Sequence, residues 1–124
     1  MTGCKMREKR TPEEILQHHA KAVREGDLDA IAADYTNQSV LITAQRKYCG
    51  SDEIRYLFSE LITALPKAQW SATRVFEDDV LFVQWTARST RYIVTDGADT
   101  FIFRDGMIRI QTVHATFARV SFAP

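Results

Sequence analysis

Three ionisable side chains, His19, Asp34 and Asp99, lie on separate predicted elements among apolar residues. Burying such groups without a partner is costly, so their presence in an apolar framework indicates a functional pocket. His19, titrating near neutral pH and oriented by Asp34 or Asp99, would act as the base in general acid/base catalysis. The reaction would be removal of a proton next to a carbonyl group, or loss of water. It requires neither a metal nor a cofactor.

Other residues would complete this pocket around an organic substrate. Tyr35 could stabilise developing charge together with Asp99, and we count it among the catalytic candidates. The residues predicted to contact the substrate are Phe58, Trp85, Phe101 and Gln111. The strand parity of Trp85 stays open, and Gln111 and His114 have opposite parity, so they cannot both point inward unless a bulge intervenes.

Each catalytic candidate also has a purely structural interpretation. His19 could be a core histidine bonded to a backbone carbonyl, and Tyr35 a core aromatic with a satisfied hydroxyl. Asp34 could end a helix and pair with an arginine or a lysine at the surface, and Asp99 could bond backbone amides where its strand begins. We expect His18 at the edge of the site rather than in it.

The stretch from Asp99 to Phe117 predicts the hairpin around which the fold is built. Asp105-Gly106 is a dipeptide that tolerates positive φ, and β-type residues flank it on both sides. Both faces of this hairpin are apolar: Phe101, Phe103, Val113, Ala115 and Phe117 can share one face, and Ile102, Ile108 and Ile110 the other. A sheet that is apolar on both faces must be covered on both faces.

Helices precede the strands. Thr11, Pro12 and Glu14 form a capping signature for a first helix that Gly26 ends, and Asp27 caps a short second helix that a turn at 37–38 follows. A third helix runs from Gly50 to the residues before Pro66. The strands are expected at 39–43, 70–76, 80–88 and 91–95, with a turn at 96–97 before the hairpin. This order predicts an α+β fold with helices on one face of a curved antiparallel sheet.

Composition limits the classes of function. The 124 residues predict one domain over 11–124 after a flexible charged tail over 1–10, and the formal net charge of zero argues against nucleic-acid binding. The sequence has no apolar run long enough to cross a membrane or to serve as a signal peptide, so we expect a cytoplasmic protein without membrane contact. Cys4 and Cys49 are expected to be free thiols.

The segments REGDLDAIAADYTNQSVLIT, CGSDEIRYLFSEL and ADTFIFRDGMIRIQT, in this order and spacing, resemble the nuclear-transport-factor-2-like superfamily, close to its SnoaL-like and ketosteroid-isomerase-like branch. The resemblance covers roughly residues 12 to 118. It implies a cone of bent antiparallel sheet, covered by three N-terminal helices and enclosing a pocket. It also implies a homodimer formed through the outer sheet face, with Gln111 in the pocket and His114 outside.

The same resemblance implies roles for individual residues. His19 stands where the isomerases have a tyrosine that donates a hydrogen bond to the substrate, and Asp99 stands at their oxyanion-hole acid, which is neutral. Ile42 stands where they have the aspartate that shuttles the proton. The implied function is an isomerase or dehydratase acting on a small apolar molecule. The alternative is a non-catalytic module that binds a hydrophobic ligand or serves dimeric association.

Overall fold

A computed structural model describes residues 9–121. Its elements are, in chain order, α1 (Pro12–Glu25), α2 (Leu28–Ala32), β1 (Tyr35–Ile42), β2 (Lys47–Cys49), α3 (Gly50–Ala64), β3 (Gln69–Glu77), β4 (Val80–Arg88), β5 (Tyr92–Arg104), β6 (Met107–His114) and β7 (Ala118–Arg119). The predicted tail over residues 1–10 lies outside the described residues except for Lys9 and Arg10. These two contact the turn between β5 and β6: Lys9 Nζ lies 2.9 Å from Asp105 Oδ1, and Arg10 donates to the Gly106 carbonyl.

The predicted helix starts are confirmed. The Thr11 hydroxyl accepts from the Glu14 amide and the Glu14 carboxylate accepts from the Thr11 amide, so both halves of a capping box are present. Gly26 ends α1 in the left-handed conformation, and the Asp27 side chain caps α2. α3 begins at Gly50. Because each signal acts on neighbouring backbone groups, it can be read from a short stretch of sequence.

The strands form one sheet in the order β2-β1-β6-β5-β4-β3, and β7 pairs with β5. β2 and β3 are its two ends, so the sheet is open rather than a closed barrel. Three helices and a curved sheet confirm the predicted α+β fold class. One pair, β1 with β6, is parallel, whereas the others are antiparallel. Such a pair needs a long crossover, which α3 and the following strands supply.

Two predicted turns are wrong. Asn37 and Gln38 lie inside β1, where an irregularity between Tyr35 and Val40 shifts the register against β6. Positions 96–97 lie inside β5, which continues for 13 residues. β1 therefore starts earlier than predicted, and the two predicted strands on either side of 96–97 are one strand. The sequence pattern does not predict the short strands β2 and β7.

The hairpin at Asp105-Gly106 is confirmed, with φ of 56° and 76° at its two central residues. A bulge between Ile102 and Phe103 shifts the pairing of β5 with β6. Because one extra residue reverses strand parity, Ile108 turns inward and is 1% exposed. The prediction that Ile108 shares the outer face with Ile102 is therefore wrong.

The core lies between the helices and the inner sheet face. Its buried members include Ile15, Leu16, Ile31, Ile54, Phe58, Leu41, Leu81, Phe101, Phe103 and Ile108. The outer face carries the exposed apolar side chains of Ile42, Val75, Val80 and Phe82. Within residues 9–121, the helices are too short or too polar to cross a bilayer.

Candidate active site

A cavity of about 870 Å³ lies between the helices and the inner face of the sheet. This volume is within the range of pockets that hold small organic ligands. Six of the predicted site residues line it: His19 from α1, Phe58 from α3, Trp85 from β4, Asp99 and Phe101 from β5, and Gln111 from β6. The fold therefore brings residues from five elements to one space, although their functional roles stay predictions.

The Asp99 carboxyl forms part of the cavity wall and is held by two hydrogen bonds. Its Oδ1 accepts a hydrogen bond from Trp85 Nε1 and its Oδ2 accepts one from Gln111 Nε2, both at 2.9 Å. Burial raises the pKa of Asp99 to about 6, while these two hydrogen bonds act in the opposite direction. The group is therefore mostly ionised at pH 7 and yet close to its titration range.

Gln111 links Asp99 to Tyr35. The buried Tyr35 hydroxyl donates to Gln111 Oε1, while the amide nitrogen of Gln111 donates to Asp99. Burial first, and then the carboxylates of Asp99 and Asp34, raise the pKa of Tyr35, so its hydroxyl keeps its proton. Tyr35, Gln111, Asp99 and Trp85 thus form a continuous chain of hydrogen bonds, which we call the polar chain. Tyr35 reaches the cavity only through Gln111, since it is not among the lining residues.

His19 is enclosed by aromatic rings. Three rings contact it in T-shaped or edge geometry, with 5.5–6.1 Å between ring centroids: those of Tyr35, Phe58 and Phe101. Burial lowers the pKa of His19 to about 4, the nearby Asp34 carboxylate raises it in part, and His18 lowers it further. The expectation that His19 titrates near neutral pH is therefore wrong, because the aromatic surroundings disfavour the imidazolium. Its Nδ1 has no hydrogen-bond partner among residues 9–121.

The structure places Asp34 outside the cavity. Its fully buried carboxylate accepts from Arg10 Nη1 at 2.7 Å and lies 2.8 Å from His18 Nδ1. The expectation that Asp34 orients His19 is wrong: it binds the preceding histidine instead, on another face of α1. The alternative interpretation is confirmed in the arginine partner and wrong in placing the pair at the surface, because the Asp34 side chain is fully buried. Arg10 could not be assigned as the partner from sequence, because it lies at the end of a stretch that reads as a tail.

Strand parity decides which way Ile42, Gln111 and His114 point. Ile42 faces outward and is 43% exposed, while its neighbour Leu41 is fully buried on the inner side. The position compared with the isomerase aspartate therefore does not face the cavity. Gln111 lies inside, whereas the exposed His114 points outward, 3.3 Å from Asp96.

The sequence does not predict the contact between Trp85 and Gly97. The parity of Trp85 follows from Leu81 and Val83, which alternate with it along β4 and are buried. Gly97, the residue opposite Trp85, falls in a predicted turn, because Asp-Gly is a strong local turn signal. The residue that packs against Gly97 lies on another strand.

Comparison with known proteins agrees with this fold. The sequence profile of the SnoaL-like domain matches residues 16–110. No curated protein matches the chain by sequence. A solved NTF-2 like protein of unknown function from Burkholderia xenovorans LB400 superposes with a TM-score of 0.70 at 18% identity, over 91% of this chain and 87% of its own.

Two solved structures with names that refer to enzymes are similar in shape. A candidate SnoaL-like polyketide cyclase from Shewanella denitrificans OS-217 gives a TM-score of 0.69 at 13% identity, over 85% of this chain and 90% of its own. A candidate ketosteroid isomerase from Kribbella flavida DSM 17836 gives 0.71 at 11% identity, over 91% and 81%. At these identities the likeness shows the fold alone. The match of the profile to most of the chain shows the family: this chain belongs to the SnoaL-like domain family.

Proposed function

We propose that this chain is a small enzyme that moves a proton on an apolar organic substrate by general acid/base catalysis, as ketosteroid isomerases and dehydratases do. The observation that carries the proposal is the Asp99 carboxyl, which opens onto the cavity with its pKa raised to about 6. A carboxyl group of this kind is both ionised at pH 7 and basic enough to accept a proton.

The hydrogen bonds of Asp99 favour the role of base over that of neutral donor. The resemblance implies a protonated Asp99 that donates to the substrate. Both carboxylate oxygens instead accept N–H groups, from Trp85 and from Gln111, and such bonds stabilise the ionised form. Asp99 would take the proton from a carbon next to the substrate carbonyl, and the two N–H groups would hold the carboxylate in place.

His19 would serve as an uncharged partner. With its pKa lowered to about 4, the imidazole is neutral at pH 7 and is a weak base. A neutral imidazole can still donate its N–H to the oxygen on which negative charge develops. Phe58 and Phe101 form apolar walls that strengthen this interaction by excluding water. Tyr35 would act at a distance, by fixing Gln111.

Deuterium uptake tests this proposal with simple ketones in place of the natural substrate. A panel of polycyclic ketones is incubated in D₂O with the protein, and exchange at the carbon next to the carbonyl is followed by NMR. We expect the exchange rate to fall as pH drops below about 6, because Asp99 becomes protonated there. We also expect Asp99→Asn to abolish the exchange. Thr100→Ala, on the outer side of the same strand, is the matched control. Exchange by Asp99→Asn at the wild-type rate would refute the role of Asp99.

A non-catalytic binding module is the second candidate. It is favoured by Leu41, which gives the inner side of β1 an apolar residue near the place where the resemblance locates an acid. The same protein preparations distinguish the two functions. A binding module would take up an apolar fluorescent ligand with an affinity that Asp99→Asn leaves unchanged, and it would exchange no deuterium. An enzyme would show exchange as well as binding.

We also propose that the outer sheet face forms a homodimer. Val75 and Phe82 are paired across β3 and β4 and are 70% and 44% exposed, and Val80 and Ile42 extend the apolar surface. Surfaces of this kind usually mark protein contacts. Phe82→Arg should convert a dimer to a monomer in sedimentation, whereas Tyr56→Arg, at an exposed position of α3, should not. A wild-type monomer at tens of micromolar would refute the proposal.

A further inference from the structure

Gly97 lies directly opposite Trp85 across β4 and β5. A Cβ atom built on Gly97 would lie 2.3 Å from Cδ2 and Cε2 of the indole and 2.7 Å from its Cγ. Contacts this short do not occur between a real Cβ and a ring. Gly97 belongs to β5, beside the irregularity that shifts the register between Trp85 and Ala87, and its φ is outside the left-handed region. The glycine is therefore required for the space that it leaves rather than for its conformation.

The indole that fills this space is held from several sides. Its Nε1 donates to Asp99 Oδ1 at 2.9 Å, and Asp99 lies two residues beyond Gly97, on the same face of β5. The ring of Trp70 packs against it with centroids 5.5 Å apart. On β3, the residue paired with Trp85 is the small Ala72. The position of the N–H thus depends on how closely the ring can approach β5.

We propose that Gly97 is a positioning residue of the candidate active site: its missing side chain lets the Trp85 indole lie against β5 and direct its N–H at the Asp99 carboxylate. The geometry stands by itself, and only its catalytic consequence rests on the proposed function. Gly97 would not touch the substrate. It would act through Trp85.

A methyl group at position 97 would displace the indole. To restore ordinary contact of about 3.4 Å from 2.3 Å, the ring must move by about 1 Å. A movement of that size takes the Trp85 N–H away from hydrogen-bond distance of Asp99. The Trp85 hydrogen bond lowers the pKa of Asp99, so its loss should raise that pKa above about 6. The base would then be protonated at a higher pH.

The test measures the pKa of Asp99 by ¹³C NMR of the carboxyl carbon in wild type, Gly97→Ala, Trp85→Ala and the double variant. Gly97→Ala should raise the pKa by about one unit, the order expected for one lost charge-assisted hydrogen bond. In Trp85→Ala the lost donor raises the pKa and the lost burial lowers it. The double variant should have the same pKa as Trp85→Ala, because Gly97 acts on Asp99 only through the indole. Ala98→Ser, on the opposite face of β5, is the control and should match wild type.

Two results would overturn the inference. One is a Gly97→Ala protein with the wild-type pKa of Asp99. The other is an added rise in the double variant, which would show that Gly97 acts other than through the indole. If Gly97→Ala alone fails to fold, the double variant decides, because it lacks the ring that clashes. A folded double variant with the pKa of Trp85→Ala supports the inference, and an unfolded one overturns it.

The deuterium-uptake assay separates this inference from the proposed function. If both hold, the pH at which exchange becomes half-maximal rises in Gly97→Ala by the same amount as the pKa of Asp99. If the pKa shifts and none of the proteins exchanges deuterium, the proposed function fails and the positioning role stands. If exchange requires Asp99 and its pH profile is unchanged in Gly97→Ala, the positioning role fails.

Discussion

The stability of this protein should depend on pH through two groups whose effects oppose each other. Burial lowers the pKa of His19 from 6.5 to about 4 and raises the pKa of Asp99 from 3.8 to about 6. In the unfolded chain both groups return to their ordinary values. Removing one group at a time should therefore expose the pH dependence that the other one masks.

The sign for each group follows from which state binds the proton. Between pH 6.5 and 4 the unfolded chain protonates His19 and the native protein does not, so stability is lost as pH falls. Between pH 6 and 3.8 the native protein protonates Asp99 and the unfolded chain does not, so stability is gained as pH falls. Compared with neutral pH, the free energy of unfolding at pH 4 is lower by about 3 kcal/mol because of His19 and higher by about 2 kcal/mol because of Asp99.

Urea unfolding at pH values from 7.5 to 4 measures these terms as differences. The free energy of unfolding of wild type minus that of Asp99→Asn should grow by about 2 kcal/mol as pH falls to 4. The corresponding difference for His19→Gln should shrink by about 3 kcal/mol. Other titrating groups are common to each pair and cancel. Thr100→Ala removes no titratable group, so its difference from wild type should not vary with pH.

The direction of each difference matters as much as its size. Two differences that stay constant within about 1 kcal/mol would show that neither group is perturbed by burial. A difference for His19→Gln that grows as pH falls would mean that the imidazole is stabilised in its charged form. Either result would contradict the placement of these side chains in an apolar interior.

Three further substitutions test the contacts around the site by urea unfolding. Asp34→Ala should lower the free energy of unfolding by about 1–2 kcal/mol, because it removes the contacts of a fully buried carboxylate with Arg10 and His18, which are themselves partly exposed to water; an unchanged value would contradict this. Gly106→Ala should lower it by about 1–2 kcal/mol, because φ is 76° there, and an unchanged value would argue against the turn. Gln111→Leu should lower it by about 1–3 kcal/mol by leaving a buried tyrosine hydroxyl without an acceptor; a neutral effect would count against the polar chain.

Local signals account for the parts of the fold that the sequence predicts. The capping box at Thr11 and the turn at Asp105-Gly106 act on neighbouring backbone groups, so a short window contains all the information they need. The same reasoning fails at Gly97. Its turn preference is local, whereas the indole that requires a glycine there comes from a neighbouring strand.

The sequence predicts which residues line the candidate site better than it predicts their protonation and partners. His19, Asp99 and Gln111 line one cavity, as their types and the resemblance suggest. The pKa of His19 is not predictable from sequence, because three aromatic rings from different elements surround it. The pairing of Asp34 with Arg10 joins residues 24 positions apart, one of which sits next to the helix cap. Burial and pairing of this kind depend on the tertiary structure.

Titration of the Asp99 carboxyl carbon by ¹³C NMR in the wild-type protein tests the central claim most directly. The structure predicts a pKa of about 6, because burial at the wall of an apolar cavity raises the pKa more than the two N–H donors lower it. A pKa at the ordinary value of 3.8 would show a hydrated carboxylate and would contradict the role of Asp99 as the base.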